Sequence, residues 1–289
     1  MPLSPVRENG HETHGSVVST KFDASRSRQH AVRYPALAKL RVGCVKYLNA
    51  QPLIYGYDGP VRLDHPSGLA RDIAAGKLDA ALVPIFEALG SKHYILVDGA
   101  AIASDGPVYS VFLAYRGEVK DITSVVLDPA SLTSVNLLRV LLAEFHGIKP
   151  GFRDEKTCGS EPGARLLIGN QAIEFRSKAP ADYRYMDLGE EWNRCTGLPF
   201  VYAMWLLRPD LPEVCAIARE FRELKKEGVE HIPKIVAGHS ESTAEFRHRY
   251  LTQHIRFDFG PRERAGVERF RELLLAHGLV SRGAPLEFV

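Results

Sequence analysis

The sequence predicts an α/β protein made of two lobes with a cleft between them. Two observations predict it: apolar strand-like runs alternate with helix-like segments in two successive sets, and a long helical region follows the second set. Because strand–helix–strand connections are right-handed crossovers, such alternation predicts parallel strands. Ligands of such folds bind beyond the carboxyl ends of the strands, so the cleft is the expected site.

The first set of elements begins near Leu40. Asn49 is the predicted N-cap of its first helix, with Pro52 in the first turn, and Pro66 opens the second helix. A polar turn at residues 104–107 separates the last two strands of the set. The predicted strands cover residues 40–45, 61–65, 79–84, 95–102 and 108–115.

The second set begins at residue 124 and gives way to a helical region after residue 211. We expect residues 40–105 plus 209–289 to form lobe 1 and residues 106–208 to form lobe 2. The predicted strands cover 124–127, 165–169 and 201–207, and the predicted helices cover 135–145, 186–192, 213–226, 232–250 and 263–277.

Residues 1–38 are rich in Ser, Arg, His and Glu and show no sustained apolar period. Such a segment cannot bury enough surface to offset the entropy lost on ordering. We interpret it as a flexible extension or as the product of a start codon placed too far upstream. An organelle transit peptide is less favoured, because acidic residues are present and no amphipathic period appears.

The composition limits the class of protein. The chain has 289 residues, 45% hydrophobic and 25% charged, which excludes a disordered or collagen-like protein. The net charge of +2 arises within residues 1–38, and the remainder is neutral. A neutral body argues against nucleic-acid binding but permits a small anionic ligand.

Cysteine usage and hydropathy bear on the compartment. Cys44, Cys158, Cys195 and Cys215 form no CxxC pair, and we expect free thiols, no metal site and no cofactor. No apolar run approaches the ~18 residues of a membrane span, and no secretion signal opens the chain. The expected location is the cytoplasm, and the sequence does not set the oligomeric state.

Three hydroxyl side chains precede the helix at residue 135 and form the best candidate anion site. Ser131, Thr133 and Ser134 follow a predicted strand, so the free N–H groups of the helix start would point into the cleft. Plain N-capping is the simpler interpretation, but a cap needs only one hydroxyl.

Other candidate binding residues carry weaker signals. The segment Asp105-Gly-Pro-Val-Tyr-Ser110, where the chain should cross between lobes, offers Gly106 and Ser110. Asn170 ends a buried strand and could place an amide in the cleft, although turn chemistry explains it equally well. Phe200 precedes an apolar strand and by itself is typical of a core aromatic residue.

The sequence offers no obvious catalytic base. Motifs such as HExxH, GxSxG, the P-loop and GxGxxG are absent. Between Leu40 and Phe200 the histidines are His65, His93 and His146, and none adjoins the candidate segments.

Eight segments in order resemble the MqnA family of menaquinone biosynthesis, over residues 40–280. The final segment covers 250–279. The others begin with Val42-Gly-Cys-Val-Lys-Tyr-Leu-Asn-Ala-Gln-Pro-Leu53, Gly76-Lys-Leu-Asp-Ala-Ala-Leu-Val-Pro84, Asp105-Gly-Pro-Val-Tyr-Ser110 and Asp128-Pro-Ala-Ser-Leu-Thr-Ser134, and continue with Leu167-Ile-Gly-Asn-Gln-Ala172, Asp187-Leu-Gly-Glu-Glu-Trp192 and Thr196-Gly-Leu-Pro-Phe-Val-Tyr-Ala-Met-Trp205.

The resemblance implies a two-lobed fold similar to type 2 periplasmic binding proteins, used in the cytoplasm by an enzyme. The implied reaction is dehydration of chorismate to 3-[(1-carboxyvinyl)oxy]benzoate in the futalosine pathway. Asn49 and Ser110 match the family's substrate-site Asn and Ser, and Ser131, Thr133 and Ser134 match its anion loop. Asn49 would orient the enolpyruvyl carboxylate, which we expect to act as the base, or assist the departing hydroxyl.

Three positions depart from the family pattern. Lys46 and Ile85 stand where many members carry hydroxyl residues, and Asn170 replaces the usual Asp. Three other functions therefore stay open: a non-catalytic carboxylate-binding protein, the related 1,4-dihydroxy-6-naphthoate synthase, and a paralogue acting on another enolpyruvyl substrate. The synthase uses a His near the cleft, which the candidate segments lack.

Overall fold

The computed structural model describes residues 33–90, 93–127, 132–154, 163–178, 181–240, 242–281 and 285–289. The strands are β1 (Val42–Val45), β2 (Val61–Asp64), β3 (Ala80–Pro84), β4 (Ile95–Ser104), β5 (Val111–Tyr115), β6 (Ser124–Leu127), β7 (Gly151–Asp154), β8 (Ala164–Ile168), β9 (Arg184–Asp187), β10 (Phe200–Leu207) and β11 (Glu287–Phe288). The helices are α1 (Pro66–Ala74), α2 (Phe86–Leu89), α3 (Leu132–Val140), α4 (Gly169–Lys178), α5 (Leu188–Thr196), α6 (Val214–Glu230), α7 (Ile232–Ala237), α8 (Ala244–Arg249) and α9 (Pro261–Ala276). Turns of 3₁₀ helix span Leu37–Lys39, Leu48–Leu53 and Val119–Asp121, and π-helical turns span Leu141–Phe145 and Tyr250–His254.

The first sheet has six strands in the order β11-β4-β10-β3-β1-β2. Strand β1 pairs in parallel with both β2 and β3, as the alternating pattern predicts. Strand β10 inserts antiparallel between β3 and β4. Every residue of β1, β3 and β10 is buried, which explains their continuous apolar runs.

The second sheet has five strands in the order β7-β6-β8-β5-β9. Its parallel part consists of β6 between β7 and β8, and β5 runs antiparallel between β8 and β9. Strands β7 and β9 were not predicted, because Gly-Phe-Arg-Asp and Arg-Tyr-Met-Asp contain no apolar run.

Two chain segments join the sheets. Residues 105–110 lead from β4 to β5, and residues 197–199 lead from α5 to β10. Arg262 of α9 reaches both segments: its guanidinium donates to the Asp105 carboxylate at 2.6 Å and to the Gly197 carbonyl at 3.2 Å.

Strand β10 lies in the first sheet, whereas the sequence placed its residues in lobe 2, which was expected to end at residue 208. An apolar run of eight residues marks a central strand but does not indicate which sheet receives it. The pairing of β10 with β3 and β4 shows that the chain returns to the first sheet before Phe200.

Ordered structure begins earlier than the sequence predicted. Tyr34 and Leu37 are buried, and the Leu37 N–H donates to the Glu220 carboxylate at 2.9 Å. Tyr34 donates its phenolic hydrogen to Glu227 at 2.7 Å. These partners lie more than 180 positions away, beyond any local pattern. Residues 34–38 are therefore folded. Of the rest of the expected extension, Arg33 is described and residues 1–32 lie outside the described residues.

The C-terminal helices and the cysteines can also be compared with the sequence predictions. The predicted helix at 232–250 is divided into α7 and α8. Cys44, Cys195 and Cys215 are free thiols as expected, while Cys158 lies outside the described residues. Within the described part of the chain, no helix has the length and apolarity needed to cross a bilayer.

Candidate active site

A cavity of about 60 Å³ lies between the two sheets, and we call it the inner cavity. Residues from both lobes form its walls. Among the described residues these are Val45, Tyr47, Asn49, Pro66, Pro84, Ile102, Val108, Ser110, Val111, Ser134, Ile168, Gly169, Tyr202 and Ala203. Three predicted site residues, Asn49, Ser110 and Ser134, therefore meet in one place.

Asn49 lies in the 3₁₀ turn Leu48–Leu53 that follows β1. The sequence predicted an N-cap, but Tyr47 occupies the cap position and the Asn49 side chain lines the cavity instead. Its Nδ2 donates to the Tyr250 hydroxyl at 3.2 Å. Its Oδ1 is buried and has no hydrogen-bond partner among the described residues. A buried acceptor without a partner costs about 1–3 kcal/mol, so a ligand that donates here would bind favourably.

Ser110 lies at the end of the 105–110 segment and is 1% exposed. Its Oγ lies 2.8 Å from the Tyr250 hydroxyl. Its carbonyl accepts from the Gly169 N–H at 2.7 Å, which fixes the segment against the start of α4. Gly169 has φ +66°, a conformation that favours glycine, and the Tyr47 ring packs where a side chain would begin.

The hydroxyls before α3 have different surroundings. Ser134 is 2% exposed and lines the inner cavity. Thr133 does not line it: its Oγ1 accepts from the Phe86 N–H at 3.0 Å, which ties α3 of the second lobe to α2 of the first. Thr133 is therefore a structural contact rather than a wall of the cavity. Ser131 lies outside the described residues.

The remaining predicted site residues lie away from the inner cavity. Phe200 belongs to an aromatic cluster, with ring centroids 5.3 Å from Trp192 and 5.0 Å from Phe270. Gly106 is buried with φ +111° and shapes the segment between the lobes. Asn170 is exposed on α4. The local sequence around Phe200 and Asn170 did not show that the first is a core residue and the second a surface residue rather than walls of the cavity.

Two positions that depart from the family pattern also lie outside the cavity walls. Lys46 is exposed, so it faces solvent rather than the cavity. Ile85 is fully buried, and its N–H donates to the Tyr202 carbonyl at 3.0 Å. Together with the exposed Asn170, these positions leave the cavity walls unaltered.

Tyr250 is the central residue that the sequence did not single out. It is 2% exposed, and its hydroxyl contacts both Asn49 and Ser110. Burial raises the pKa of Tyr250 to about 12. The apolar spacing of the C-terminal region predicted a helix here, but nothing local separates this tyrosine from a core residue.

Asp187 anchors the segment that carries Ser110. Its buried carboxylate accepts from the Val108 N–H at 3.0 Å and from the Tyr109 N–H at 2.6 Å. It also caps α5, accepting from the N–H groups of Gly189 and Glu190. Tyr109 has φ +68°, an uncommon conformation for a residue with a side chain, which this anchor helps to hold.

A larger depression of about 580 Å³ adjoins the inner cavity, and we call it the outer groove. Leu48 and Tyr109 line the groove, while their chain neighbours Asn49 and Ser110 line the cavity. Its described walls are Leu48, Tyr109, Asn170, Ile173, Glu174, Ser177, Lys178, Ser242, Thr243 and Phe246.

The described walls of the inner cavity carry no acid, histidine, cysteine or cation. Tyrosines are the ionisable groups there, and burial raises the pKa of Tyr202 well above its usual value. His254 contacts the segment between the lobes, donating from Nδ1 to the Pro107 carbonyl at 3.0 Å, but is not a wall residue. The described residues contain no group of three or more potential metal ligands from His, Cys, Asp and Glu. The cavity thus offers neutral donors and acceptors.

Two sheets joined by two segments, with a cavity between them, define a periplasmic-binding-protein-like α/β protein, as predicted. Solved structures agree with this class. Protein AF1704 from Archaeoglobus fulgidus superposes with a TM-score of 0.68 at 16% identity, covering 84% of this chain and 99% of that one. The Candida albicans CA3427 gene product, which has the generic periplasmic binding protein fold, superposes with a TM-score of 0.57 at 12% identity, covering 85% and 92%.

The chain belongs to the menaquinone biosynthesis family, whose model matches residues 40–276. It is 28% identical over 264 residues to the chorismate dehydratase of Thermus thermophilus, covering 81% of this chain and 94% of that protein. It is 30% identical over 159 residues to the chorismate dehydratase of Campylobacter jejuni, covering 54% and 58%. The family resemblance found in the sequence is confirmed.

Proposed function

We propose that this protein is a chorismate dehydratase, a hydro-lyase that converts chorismate to 3-[(1-carboxyvinyl)oxy]benzoate and water in the futalosine pathway of menaquinone biosynthesis. Family membership and the two relatives of that name support the reaction. One structural observation supports it further: Asn49 holds an unpartnered acceptor, Oδ1, inside an uncharged cavity.

The polar groups of the cavity suit the functional groups of chorismate. As a dianion, chorismate has one hydrogen-bond donor, its ring hydroxyl, and the Asn49 Oδ1 is an acceptor that needs a donor. The two carboxylates accept hydrogen bonds, which the hydroxyls of Ser110 and Ser134 can donate. Asn49 therefore binds the hydroxyl that departs, and the serines bind carboxylate oxygens. The role of Ser131 stays a prediction from the sequence.

The reaction requires removal of a ring proton and loss of the neighbouring hydroxyl. The enolpyruvyl carboxylate of the substrate takes the proton from the adjacent ring carbon, and the C–H electron pair completes the aromatic ring. The C–O bond breaks, and the departing hydroxyl receives the proton to become water. The protein then contributes orientation and exclusion of solvent, which agrees with the lack of a basic side chain among the described walls of the cavity.

The size of the inner cavity indicates how the substrate is admitted. About 60 Å³ holds only a few water molecules. A substrate with a six-membered ring therefore requires the two lobes to separate or the wall side chains to turn. The outer groove is the entry route that the geometry favours for the substrate, because Leu48 and Tyr109 of the groove are adjacent in sequence to Asn49 and Ser110 of the cavity.

The direct test is incubation of the purified full chain with chorismate, followed by chromatographic detection of the aromatic product. We expect enzyme-dependent formation of 3-[(1-carboxyvinyl)oxy]benzoate. Binding of chorismate by calorimetry without product would contradict the proposal and favour a carboxylate-binding protein. Neither binding nor product would favour a paralogue that acts on another enolpyruvyl compound.

A further inference from the structure

We infer that Tyr250 is a positioning residue, whose phenol fixes the directions in which Asn49 and Ser110 offer hydrogen bonds to a ligand in the inner cavity. The inference deepens the proposed function and rests on it. It starts from two distances: the Tyr250 oxygen lies 3.2 Å from Asn49 Nδ2 and 2.8 Å from Ser110 Oγ.

The structure holds the Tyr250 hydroxyl in one place. Its ring is buried and stacks on Phe246, with the ring centroids 6.0 Å apart and the planes 9° from parallel. Tyr250 opens a π-helical turn directly after α8. Such turns are rare in proteins overall, and those that occur often lie at functional sites. A buried phenol between two polar partners has few other orientations available.

The direction of each hydrogen bond follows from donor counting. An amide nitrogen can only donate, so Asn49 Nδ2 donates and the Tyr250 oxygen accepts. We assign the single phenol hydrogen to Ser110 Oγ at 2.8 Å, because directed elsewhere it would be buried without an acceptor among the described residues. The hydroxyl hydrogen of Ser110 cannot return along the same contact and is directed elsewhere. Because Ser110 lines the inner cavity, that hydrogen is available to a ligand.

The result is a fixed pair of groups in the cavity. Ser110 presents a donor, and Asn49 presents its Oδ1 as an acceptor. In one orientation of the proposed substrate, a carboxylate oxygen accepts from Ser110 while the ring hydroxyl donates to Asn49 Oδ1. Burial holds the pKa of Tyr250 at about 12, so the phenol stays protonated and able to donate at neutral pH.

Removing the phenol oxygen frees both partners. In Tyr250→Phe the Ser110 hydrogen can rotate and the Asn49 amide can turn over, so the donor and acceptor no longer have fixed positions. We expect kcat to fall about 10- to 100-fold, as for loss of one buried hydrogen-bonded group. KM should change less than about threefold, because no direct contact with substrate is removed.

Tyr94→Phe is the matched control. The Tyr94 hydroxyl is also buried but has no hydrogen-bond partner, and Tyr94 is not a wall of the cavity. Its kcat should stay within about twofold of the original, since no paired group is lost. Tyr94→Phe should keep the thermal midpoint of the unsubstituted protein, and Tyr250→Phe should lower it by no more than about 10 °C, so that both variants are folded at the assay temperature. A loss of kcat measured on folded protein separates positioning from folding.

A double-mutant cycle with Ser110→Ala tests whether Tyr250 acts through Ser110. If it does, the double variant should be little worse than Ser110→Ala alone, because the losses overlap. Losses that multiply in full, or a Tyr250→Phe variant as active as Tyr94→Phe, would overturn the inference.

Crystal structures of the unsubstituted and Tyr250→Phe proteins keep the inference apart from the proposed function. If chorismate is not converted at all, the proposed function fails, and the structures then decide on Tyr250. A turned Asn49 amide or a rotated Ser110 side chain in the variant supports positioning. If the Asn49 and Ser110 side chains keep the same conformations and the same hydrogen-bond partners in the variant, apart from Tyr250, the inference is overturned.

Discussion

The inner cavity and the outer groove adjoin each other but hold their polar groups in opposite ways. In the cavity, Asn49 and Ser110 are uncharged and share a buried partner, Tyr250. In the groove, Lys178 and Glu174 form an ion pair whose side chains are 72% and 65% exposed. A lost buried hydrogen bond costs about 1–3 kcal/mol, whereas an exposed ion pair contributes about 0–1 kcal/mol. Small neutral changes in the cavity should therefore matter more than charge changes in the groove.

Replacing Asn49 should give the largest effect on activity. Asn49→Ala removes the acceptor that positions the departing hydroxyl, and we expect turnover of chorismate to fall about 10²-fold. Asn170→Ala, the same change on the exposed start of α4, should stay within about twofold. Steady-state kinetics with chorismate measure both, and equal losses would remove the distinction between cavity and groove.

Replacing Asp187 should cost the most stability. Asp187→Ala leaves the N–H groups of Val108 and Tyr109 without their buried acceptor, and we expect the free energy of unfolding to fall by at least about 3 kcal/mol. Activity should fall as well, since the segment carrying Ser110 loosens. Urea unfolding measures the change. Asp258→Asn, on a carboxylate that is 84% exposed and paired with Lys225, is the control and should cost less than about 1 kcal/mol.

Thr133 and Ser134 are adjacent and should respond in opposite ways. Thr133→Val removes the contact with the Phe86 N–H and should lower the free energy of unfolding by about 1–2 kcal/mol, with kcat within about threefold. Ser134→Ala removes a hydroxyl of the cavity wall and should lower kcat/KM about tenfold, a larger loss of activity than that of Thr133→Val. If both variants lose activity alike, Thr133 also contacts the substrate.

The pH dependence should show the smallest effect. Burial raises the pKa of Tyr250 to about 12 and raises that of Tyr202 well above its usual value, so both phenols stay protonated through the neutral range. The protonated form is the active one, so activity is retained below these pKa values and lost only as the pH rises towards them. We expect kcat to be flat from about pH 6 to about pH 9, because this range lies below even the ordinary tyrosine pKa of about 10. An inflection of kcat between about pH 6 and about pH 9 would contradict this expectation.

The sequence predicted the fold class and the parts of the site that are local. Asn49 and Ser134 follow strands at the start of helical turns, and Ser110 lies where the chain crosses between lobes, so each position was marked by its neighbours. Local pattern could not tell Thr133 from Ser134, because both precede the same helix and only the packing of α2 against α3 separates them.

Contacts between distant parts of the chain could not be predicted in this way. Tyr250 reaches Asn49 across 201 positions and Ser110 across 140, and Asp187 reaches Val108 across 79. Phe200 was assigned to the site because its segment matched the family, yet its ring packs in the core between α5 and α9. Buried hydrogen bonds of this kind depend on tertiary packing, which neither periodicity nor composition encodes.

The position of Arg262 has a mechanical consequence. Its guanidinium cross-links the two segments that join the sheets, with hydrogen bonds to Asp105 and to Gly197. Any change in the separation of these two residues therefore requires Arg262 to move or to give up its hydrogen bonds to one of them.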